Sequence, residues 1–330
     1  MEKNKSEFLQ NPIEKKETIL KDIWSKVLNK PDIGVHDDFF MSGGTSKDLV
    51  KMVTKMSEVF EISMQEVFSK STIAEIAPIV EYRKDGLKDD VDKIYNLTEK
   101  LKNFVPSQEY NTYMENYEKY NSEMKLEKRE EYKKVLVTGG NGFLSCHLIE
   151  RILKYRKTSI VVLIREKDNE KAYAKFKRAM DWYFPEEDML SEYSNRIEVI
   201  AGDVSNDKFS LDNQKYNELS KTVDAIFHVA GILRHYGHWE EFYNTNVQGT
   251  IRVIDFAKYE MKKDIHFIST MGTGYNEERA KNIIPFTELE VQKDSYIANY
   301  YLKSKMLAEK ELEKELKEGN LKIKIYRPGY

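Results

Sequence analysis

The pattern of apolar and polar residues changes character along the chain. Up to about residue 82, apolar residues recur at the three- and four-residue intervals of amphipathic helices. From residue 133 onwards, short apolar runs of strand length alternate with amphipathic helices, which is typical of a doubly wound parallel sheet. The sequence therefore predicts a small all-α bundle followed by a Rossmann-like α/β domain over residues 133–330. The predicted strands are Lys134–Thr138, Ser159–Arg165, Arg196–Ala201, Asp224–Val229, Asp264–Thr270 and Lys322–Tyr326, and the predicted helices lie near 143–155, 169–183, 237–260 and 300–318.

The all-α unit is predicted over residues 13–82. Its first helix is followed by a loop over 30–45, and a second helix begins near Ser46. A last short helix starts at Thr72, where Glu75 three residues later completes the sequence of a capping box. The apolar faces of the first two helices are formed by Leu20, Ile23, Trp24, Val27 and Leu28, and by Leu49, Val53, Met56 and Phe60.

Residues 83–132 are rich in charge, yet they keep a helical pattern. Val91, Ile94, Leu97, Leu101 and Phe104 recur at helical spacing up to Pro106, a helix stop. A second helix follows, in which four tyrosines fall on one stripe. An aromatic stripe is usually a packing face, so we expect a helical linker that is docked against the neighbouring domain. The four tyrosines are Tyr110, Tyr113, Tyr117 and Tyr120.

Composition and charge limit the classes of function. A net charge of −3 with 33% charged residues gives no electrostatic case for binding nucleic acid. No apolar run approaches the ~20 residues of a membrane helix, and the polar N-terminus does not match a signal peptide. The single cysteine, Cys146, suits a reducing compartment, so we expect a cytoplasmic protein. The one close histidine pair, His235 and His238, lacks partners at zinc-ligand spacing, so no metal site is predicted.

A glycine-rich turn follows the first predicted strand of the α/β domain. The apolar run Val135–Val137 stops at Gly139-x-x-Gly142, and an amphipathic helix then begins. Gly139 permits a tight turn, and Gly142 lets the helix N-terminus approach a pyrophosphate. Ser145 takes the position of the usual third glycine, which sets close helix–strand packing. Strand, turn and helix together predict the opening of a dinucleotide-binding unit.

The second predicted strand ends at Arg165, 23 positions after Gly142. An acidic residue there would bind the ribose hydroxyl of NAD, whereas an arginine offers a charged fork to the 2′-phosphate of NADP. Arg165 therefore favours NADPH. The alternative is a solvated arginine at a strand end.

A possible catalytic pair lies on the last predicted helix. Tyr301 and Lys305 are four residues apart and so share a helix face. A nearby ammonium favours the phenolate, which makes a tyrosine a usable acid or base near neutrality. The fifth predicted strand ends in the hydroxyls of Ser269 and Thr270, at the sheet edge where ligands bind.

The loop before Ser46 carries a second recognisable pattern. Residues 37–46 read acidic-Phe-Phe, two residues, Gly-Gly, one residue, Ser. Over roughly residues 13–82 the chain resembles the carrier (thiolation) domain of nonribosomal peptide synthetases, and Trp24 also fits. The resemblance implies that Ser46 carries 4′-phosphopantetheine, added by a phosphopantetheinyl transferase. The alternative is that Ser46 merely caps its helix.

Ordered motifs of the α/β domain resemble the extended short-chain dehydrogenase/reductase superfamily, and within it the thioester reductase domains of nonribosomal peptide synthetases. The resemblance implies that Thr270, Tyr301 and Lys305 are catalytic, and that Lys305 also holds the nicotinamide ribose. The other cofactor-binding residues that it implies are Gly139, Gly142, Phe143, Leu144, Arg165, Asp203, Val204 and Ala230. The motifs are Thr138–Leu144, Gly202–Val204, His228–Gly231, Asn246–Thr250, Ser269-Thr270, Tyr301-x-x-x-Lys305 and Tyr326–Gly329.

The implied function is reductive release. NADPH would reduce an acyl or peptidyl thioester on Ser46 to an aldehyde, or in a second round to an alcohol. Upstream adenylation and condensation modules would be partners. The alternatives are a nucleotide-sugar epimerase or similar reductase, and a non-catalytic carrier or docking fragment. In the superfamily a smaller substrate lobe follows the sixth strand, so we expect that lobe to be missing after Tyr330, with slow turnover as the consequence.

Overall fold

The computed structural model describes residues 12–62, 67, 70–83, 99, 102–123, 131–234, 237–274, 286–288, 299–319 and 321–329, with Ser46 and Lys47 described by their backbone alone. The chain forms two compact units. The first contains the described residues up to Pro106 together with Gly237, and the second contains those of 107–234 and those from His238 onwards. The predicted linker positions Val91, Ile94, Leu97 and Leu101 lie outside the described residues.

The first unit contains the three predicted helices. Thr72 is the N-cap of the third, and the predicted capping box with Glu75 is present. Phe60 was predicted on the second helix but lies in a short strand, since the helix ends at Ser57 and the Phe60 ring packs on Tyr82 at 5.2 Å. The elements are α1 Pro12–Leu28, α2 Ser46–Ser57, β1 Phe60–Glu61, α3 Ile73–Ile76 and β2 Glu81–Tyr82, with β1 and β2 antiparallel.

The core of the first unit is built around Trp24, which is wholly buried. Its ring meets Phe39 edge-on at a centroid distance of 5.1 Å. The apolar faces predicted for the first two helices supply most of the remaining core. The buried members from those faces are Leu20, Ile23, Leu49, Val53 and Met56.

The tyrosine-rich part of the linker is helical, as predicted. Helix α4 spans Gln108–Glu123 and belongs to the second unit. None of its residues is fully buried, but Tyr110, Tyr113 and Tyr117 are half-buried along one stripe. The Tyr113 hydroxyl lies 2.7 Å from the Thr287 hydroxyl, which attaches the helix to the α/β unit.

The second unit is organised by a six-stranded parallel sheet. The strand order is β5-β4-β3-β6-β7-β8, so the chain leaves β3 in one direction along the sheet and resumes in the other at β6. In such sheets, ligands bind in the crevice at the carboxyl ends of the strands on either side of this reversal. The strands are β3 Lys134–Thr138, β4 Ser159–Ile164, β5 Ile197–Ala201, β6 Ala225–His228, β7 Asp264–Ile268 and β8 Ile323–Tyr326.

Alternate strand residues contribute to cores on opposite faces of this sheet, as the two-residue period of a strand requires. Leu136, Val161 and Leu163 pack on one face, and Val135 and Val162 on the other. Helices α5 Phe143–Tyr155 and α6 Asn169–Tyr183 cover the second face. The first face is covered by α8 Asn213–Thr222, α10 Gly249–Lys258 and α11 Tyr300–Lys317. The predicted Rossmann-like fold is confirmed.

Several predicted boundaries are wrong. The strands after β3 are shorter than predicted by one or two residues, so Arg165, Ser269 and Thr270 follow strands rather than ending them. The helix predicted over 237–260 consists of α9 Trp239–Phe242, a π-helical turn Tyr243–Gln248 and α10. The short helix α7 Met189–Glu192 and helix α8 were not predicted. No helix among the described residues is long and apolar enough to cross a membrane.

Candidate active site

The loop before α2 is shaped by aromatic packing. A methyl group added to Gly44 would lie 2.3 Å from Phe39 Cε1, so only glycine lets the loop close over this ring. Gly43 has φ +100°, a conformation that side chains disfavour. The Phe-Phe and Gly-Gly parts of the predicted carrier pattern therefore depend on each other, and together they bring the chain to the start of α2.

The start of α2 is closed by Thr45. Its hydroxyl accepts a hydrogen bond from the Asp48 backbone N–H at 3.2 Å, and its own N–H donates to the Asp48 carboxylate at 3.3 Å. The Thr45 hydroxyl also donates to the Asp48 carboxylate at 2.6 Å. This bond is the largest cause that holds the pKa of Asp48 down at about 2, and the hydrogen bond from Lys51 is the next. Thr45 is therefore the N-cap, and Ser46 is the first helical residue. The alternative in which Ser46 is the N-cap is wrong.

The glycine turn of the second unit lies between β3 and α5. Gly139 has φ +68°, and a Cβ there would lie 2.7 Å from the Ala230 Cα, so this turn can pack on the strand end of β6 only with glycine. Ser145 is buried, and its hydroxyl donates to the Gly139 carbonyl at 2.8 Å. The serine at the third position thus ties the helix to the turn.

The N-terminus of α5 is open. Gly142 is its N-cap and no side chain of the described residues caps it, so the first N–H groups of a 13-residue helix are left for a ligand. A Cβ on Gly142 would meet nothing closer than the Gly139 carbonyl at 3.5 Å. Phe143 and Leu144 are 59% and 45% exposed. Exposed apolar residues beside free N–H groups are what a bound dinucleotide would cover.

Arg165 and Asp203 lie after neighbouring parallel strands, β4 and β5. Arg165 is exposed, and its guanidinium has no partner among the described residues. Asp203 accepts from the Ser205 backbone N–H at 2.8 Å and from its hydroxyl at 2.7 Å. Val204 is buried against Gly249. These residues lie at the same sheet edge as the glycine turn, which is where the adenosine half of a dinucleotide is expected.

His228 connects three elements beneath the turn. Its ring nitrogens lie 2.8 Å from the Thr138 hydroxyl and 3.2 Å from the Thr250 hydroxyl. Burial lowers the pKa of His228 to about 3, with the charge of Lys305 as a second cause. The imidazole is therefore neutral and unsuited to acid–base work at neutral pH. Its role here is to connect β3, β6 and α10.

Lys305, one of the residues predicted to be catalytic, is buried in helix α11. It is 2% exposed, donates to the Ile268 carbonyl at 2.8 Å and lies 4.7 Å from the Phe267 ring centroid. Burial lowers the pKa of Lys305 to about 8, while the charge of Glu309 opposes that shift. Lys305 is therefore still protonated at pH 7. One helical turn earlier on α11, Tyr301 is half-buried.

Thr270 lies in the turn that follows β7. Its carbonyl accepts from the Thr273 hydroxyl at 2.9 Å, which closes the 3₁₀ turn Met271–Gly274. A Cβ on Gly272 of that turn would lie 2.5 Å from Leu302, the neighbour of Tyr301. The structure thus brings the Thr270 turn against the helix that carries Tyr301 and Lys305.

Asn246 belongs to the motif Asn246–Thr250, to which the sequence assigns no individual roles. It lies in the π-helical turn, wholly buried, and its amide donates to the Ile232 carbonyl at 3.1 Å and to the Ser304 hydroxyl at 2.8 Å. A Cβ on Gly231 would be 3.1 Å from Asn246 and 3.2 Å from the Lys305 ammonium. Asn246 therefore joins the loop after β6 to helix α11. Single-turn π-helices are frequent at functional sites, but this turn is visible only in the structure.

Comparisons with known families agree with this division into two units. The family model described as male sterility protein, an NAD-binding family, matches residues 137–330. The chain belongs to the male sterility protein family. The model described as phosphopantetheine attachment site matches residues 18–78. Family membership therefore places a nicotinamide cofactor in the second unit, and the attachment-site domain brings phosphopantetheine to the first. Among the described residues, no group of three histidine, cysteine or acidic side chains could hold a metal ion.

Two relatives of this family member align with nearly the whole chain. It is 27% identical to a linear gramicidin synthase polypeptide of Brevibacillus parabrevis over 97% of this chain and 6% of the relative. It is 26% identical to L-2-aminoadipate reductase of Saccharomyces cerevisiae over 94% of this chain and 24% of the relative. The chain thus spans a quarter or less of the length of these two curated relatives.

The structure resembles a solved thiolation-reductase di-domain from an archaeal non-ribosomal peptide synthetase. The TM-score is 0.67 at 24% identity, covering 96% of this chain and 63% of that one. At this identity the likeness establishes the fold of this family member. The predicted order of a carrier fold followed by a reductase fold is confirmed.

Proposed function

We propose that this chain is the carrier–reductase terminus of a nonribosomal peptide synthetase. An acyl or peptidyl thioester on phosphopantetheine-Ser46 is reduced with NADPH and released as an aldehyde, or after a second reduction as an alcohol. We propose the boundaries 13–82 for the carrier, 83–132 for the linker and 133–330 for the reductase. The single observation that supports the proposal is the position of Lys305, which is buried against the end of β7 one helical turn from Tyr301, in a chain that also contains a carrier domain.

The second unit fits a nicotinamide dinucleotide. The open N-terminus of α5 offers N–H groups to a pyrophosphate. The exposed guanidinium of Arg165, which pairs with none of the described residues, suits the 2′-phosphate of NADPH. Phe143, Leu144 and Ala230 line the approach to the turn, and Asp203 and Val204 lie where we place the adenine. When bound, NADPH supplies the hydride to the thioester carbonyl carbon.

The chain's own residues would then handle charge and protons. Thr270 and Tyr301 donate hydrogen bonds to the carbonyl oxygen as negative charge develops on it, and Tyr301 gives up its proton there. The Lys305 ammonium stabilises the resulting phenolate and holds the nicotinamide ribose. As the carbon–sulfur bond of the hemithioacetal breaks, its hydroxyl returns the proton to the Tyr301 phenolate and becomes the aldehyde carbonyl. The departing thiolate takes up a proton from solvent and becomes the thiol of phosphopantetheine.

The partners follow from this reaction. A phosphopantetheinyl transferase must modify Ser46, and upstream adenylation and condensation modules must supply the acyl group. The single cysteine, Cys146, is buried, and burial raises the pKa of its thiol to about 11. It plays no part in the chemistry, and a chain with a single cysteine suits the cytoplasm. A nucleotide-sugar epimerase is not favoured, because a carrier domain has no use in that reaction.

The test begins with loading. Octanoyl-coenzyme A and a phosphopantetheinyl transferase are supplied, and intact mass reports attachment of octanoyl-phosphopantetheine. We expect one group per chain and none on Ser46→Ala. NADPH should then remove the octanoyl group as octanal in the unaltered chain and leave it in place in Tyr301→Phe. The matched control is Tyr300→Phe, on the adjacent residue, which should react as the unaltered chain does. Full loading of Ser46→Ala, or an octanoyl group stable to excess NADPH, would overturn the proposal.

A further inference from the structure

A buried carboxylate lies directly behind the catalytic pair. Glu309 is wholly buried and follows Lys305 by one helical turn on α11. An unpaired buried carboxylate is strongly unfavourable, so its partners must compensate for the lost hydration. Those partners come from the two strand ends beside the catalytic helix. We call the four residues Glu309, Ser269, Thr273 and Arg327 the Glu309 cluster.

Two members of the Glu309 cluster flank Thr270 in the chain. Ser269, immediately before Thr270, donates its hydroxyl to the Glu309 carboxylate. The Thr273 hydroxyl lies 3.2 Å from the same oxygen and 2.9 Å from the Thr270 carbonyl, so its proton can be shared between the two acceptors. The carboxylate therefore fixes the backbone on both sides of Thr270. Since Lys305 donates to Ile268, helix α11 is attached to this segment at two successive turns.

Arg327 supplies the counter-charge from the end of β8. Its Nε lies 3.1 Å and 3.2 Å from the two Glu309 oxygens, and its Nη2 lies 2.7 Å from one of them. The guanidinium also lies 4.6 Å from the Phe286 ring centroid and donates to the Thr287 carbonyl at 3.3 Å. The bidentate pair between Arg327 and Glu309 has a fixed geometry, because Arg327 also contacts Phe286 and Thr287. The Glu309 carboxylate therefore accepts from Ser269 and Thr273 in a fixed position.

We propose that Glu309 is a positioning residue that holds Thr270 in register with Tyr301 and Lys305. The inference rests on the proposed thioester reduction. Glu309 does not touch the reacting atoms. It sets the distance between the Thr270 hydroxyl, which follows β7, and the Tyr301 hydroxyl, which is carried by α11.

Packing alone does not explain this arrangement. A leucine would fill a buried position on α11 without a desolvation penalty, whereas a carboxylate needs several donors in fixed places. Two of those donors are the hydroxyls on either side of Thr270. The charge of Glu309 also favours the protonated form of Lys305 by raising its pKa, which supports the same role. Rate in oriented reactions is sensitive to displacements of about 1 Å, so loss of one such contact should appear in the chemical step.

The test uses the octanoyl-loaded full chain with saturating NADPH under single-turnover conditions. Ser269→Ala removes one contact of Glu309 and leaves the charge pair with Arg327 intact. Glu309→Gln removes the charge but keeps the shape. The matched controls are Ser220→Ala, at a buried serine of α8, and Glu311→Gln, whose carboxylate pairs with the exposed Lys314 on α11. NADPH affinity is measured by fluorescence in every variant, and rates are expressed per NADPH site.

We expect Ser269→Ala to slow hydride transfer about tenfold and Glu309→Gln by about tenfold or more, with NADPH affinity within about twofold and both controls unchanged. A purely structural role would lower the number of NADPH sites and leave the rate per site unaltered, and that result would overturn the proposal. If Glu309→Gln fails to fold, Ser269→Ala decides alone. Failure of the unaltered chain to transfer hydride would instead refute the proposed reduction, and the positioning role with it.

Discussion

The two units each contain a turn with a glycine pair that leads into a helix, and the two turns share two features. The first glycine of each pair has a positive φ, +100° at Gly43 and +68° at Gly139. At the second glycine a Cβ would clash with a core side chain, at 2.3 Å from Phe39 for Gly44 and at 2.0 Å from Val162 for Gly140. Both sequences therefore press a tight turn against an apolar core.

The turns differ in what closes the helix that follows. Thr45 caps α2 and forms a box with Asp48, whereas at Gly142 no side chain of the described residues caps α5. A closed N-terminus suits a phosphate that is attached covalently to the next residue, because attachment does not depend on free N–H groups. An open N-terminus suits a pyrophosphate that must be bound reversibly through those groups. Under the proposed function, the same kind of turn would serve a covalently attached group in the first unit and an exchangeable cofactor in the second.

The largest expected effect is the difference between alanine substitutions at the first glycine of each turn, Gly139 and Gly43. In Gly139→Ala the new Cβ would lie 2.7 Å from the Ala230 backbone, so we expect about 2–4 kcal/mol of destabilisation and loss of NADPH binding. Gly43→Ala is the matched control, because its Cβ meets nothing within 4 Å and only the backbone strain of about 1 kcal/mol remains. Urea unfolding, monitored by hydrogen exchange in each unit, measures the loss of stability in both variants. NADPH binding by Gly139→Ala at unaltered affinity would contradict this account.

Closing the open helix should abolish the difference between the turns. Gly142→Asp places a capping carboxylate where we put the pyrophosphate, and the open space around Gly142 accommodates it. We expect NADPH affinity to fall by more than about tenfold while stability changes by about a few tenths of a kcal/mol. Gly142→Asn, which caps without charge, should lose less affinity. Equal losses from the two substitutions would show that repulsion of a bound anion is not involved.

Substitution of Arg165 tests whether the cofactor is also bound through the 2′-phosphate that distinguishes NADPH from NADH. Arg165→Ala should reduce the preference for NADPH over NADH by more than about tenfold, since a hydrogen bond to a charged group contributes about 1.5–3 kcal/mol. Arg178→Ala, at another arginine of the second unit, serves as the control. The dissociation constants for NADPH and for NADH are measured in each variant by fluorescence titration. Equal affinities for NADPH and NADH in the unaltered chain would refute the assignment.

The smallest effect concerns the closed turn. Thr45→Ala should destabilise the first unit by about 1 kcal/mol and leave NADPH binding unchanged. It should also raise the pKa of Asp48 from about 2 towards 3.8, because the Thr45 hydroxyl is the largest cause of its depression. Since that pKa is depressed in the folded state, the stabilisation is present above pH 3.8 and is lost as pH falls towards 2. Carboxyl NMR titration measures the shift, and an unmoved Asp48 would contradict the capping assignment.

Local pattern predicted the strands and most helices because β-branched runs and amphipathic faces are short-range signals. Helix α8 was not predicted because its sequence is mostly polar, and its buried residues are Tyr216, Leu219 and Ser220. The helix predicted over 237–260 is interrupted at Asn246, whose partners Ile232 and Ser304 are 14 and 58 residues away. No local pattern contains such contacts.

The site shows the same limit. The glycine turn, Arg165 and the Tyr301–Lys305 pair could be predicted because each is a spacing within one or two elements. The motif that begins at His228 could be read from the sequence, but the contacts of His228 with Thr138 and Thr250, which join three elements, could not. The roles of the predicted catalytic and cofactor residues stay predictions.

The central claim is that hydride reaches an acyl group held on Ser46. The most direct measurement supplies the octanoyl-loaded chain with NADPH deuterated at the transferable position and follows both products by mass spectrometry. We predict octanal that carries one deuterium at the aldehyde carbon, with an equal loss of octanoyl from phosphopantetheine-Ser46. Unlabelled octanal, or free octanoic acid with no oxidation of NADPH, would contradict the account.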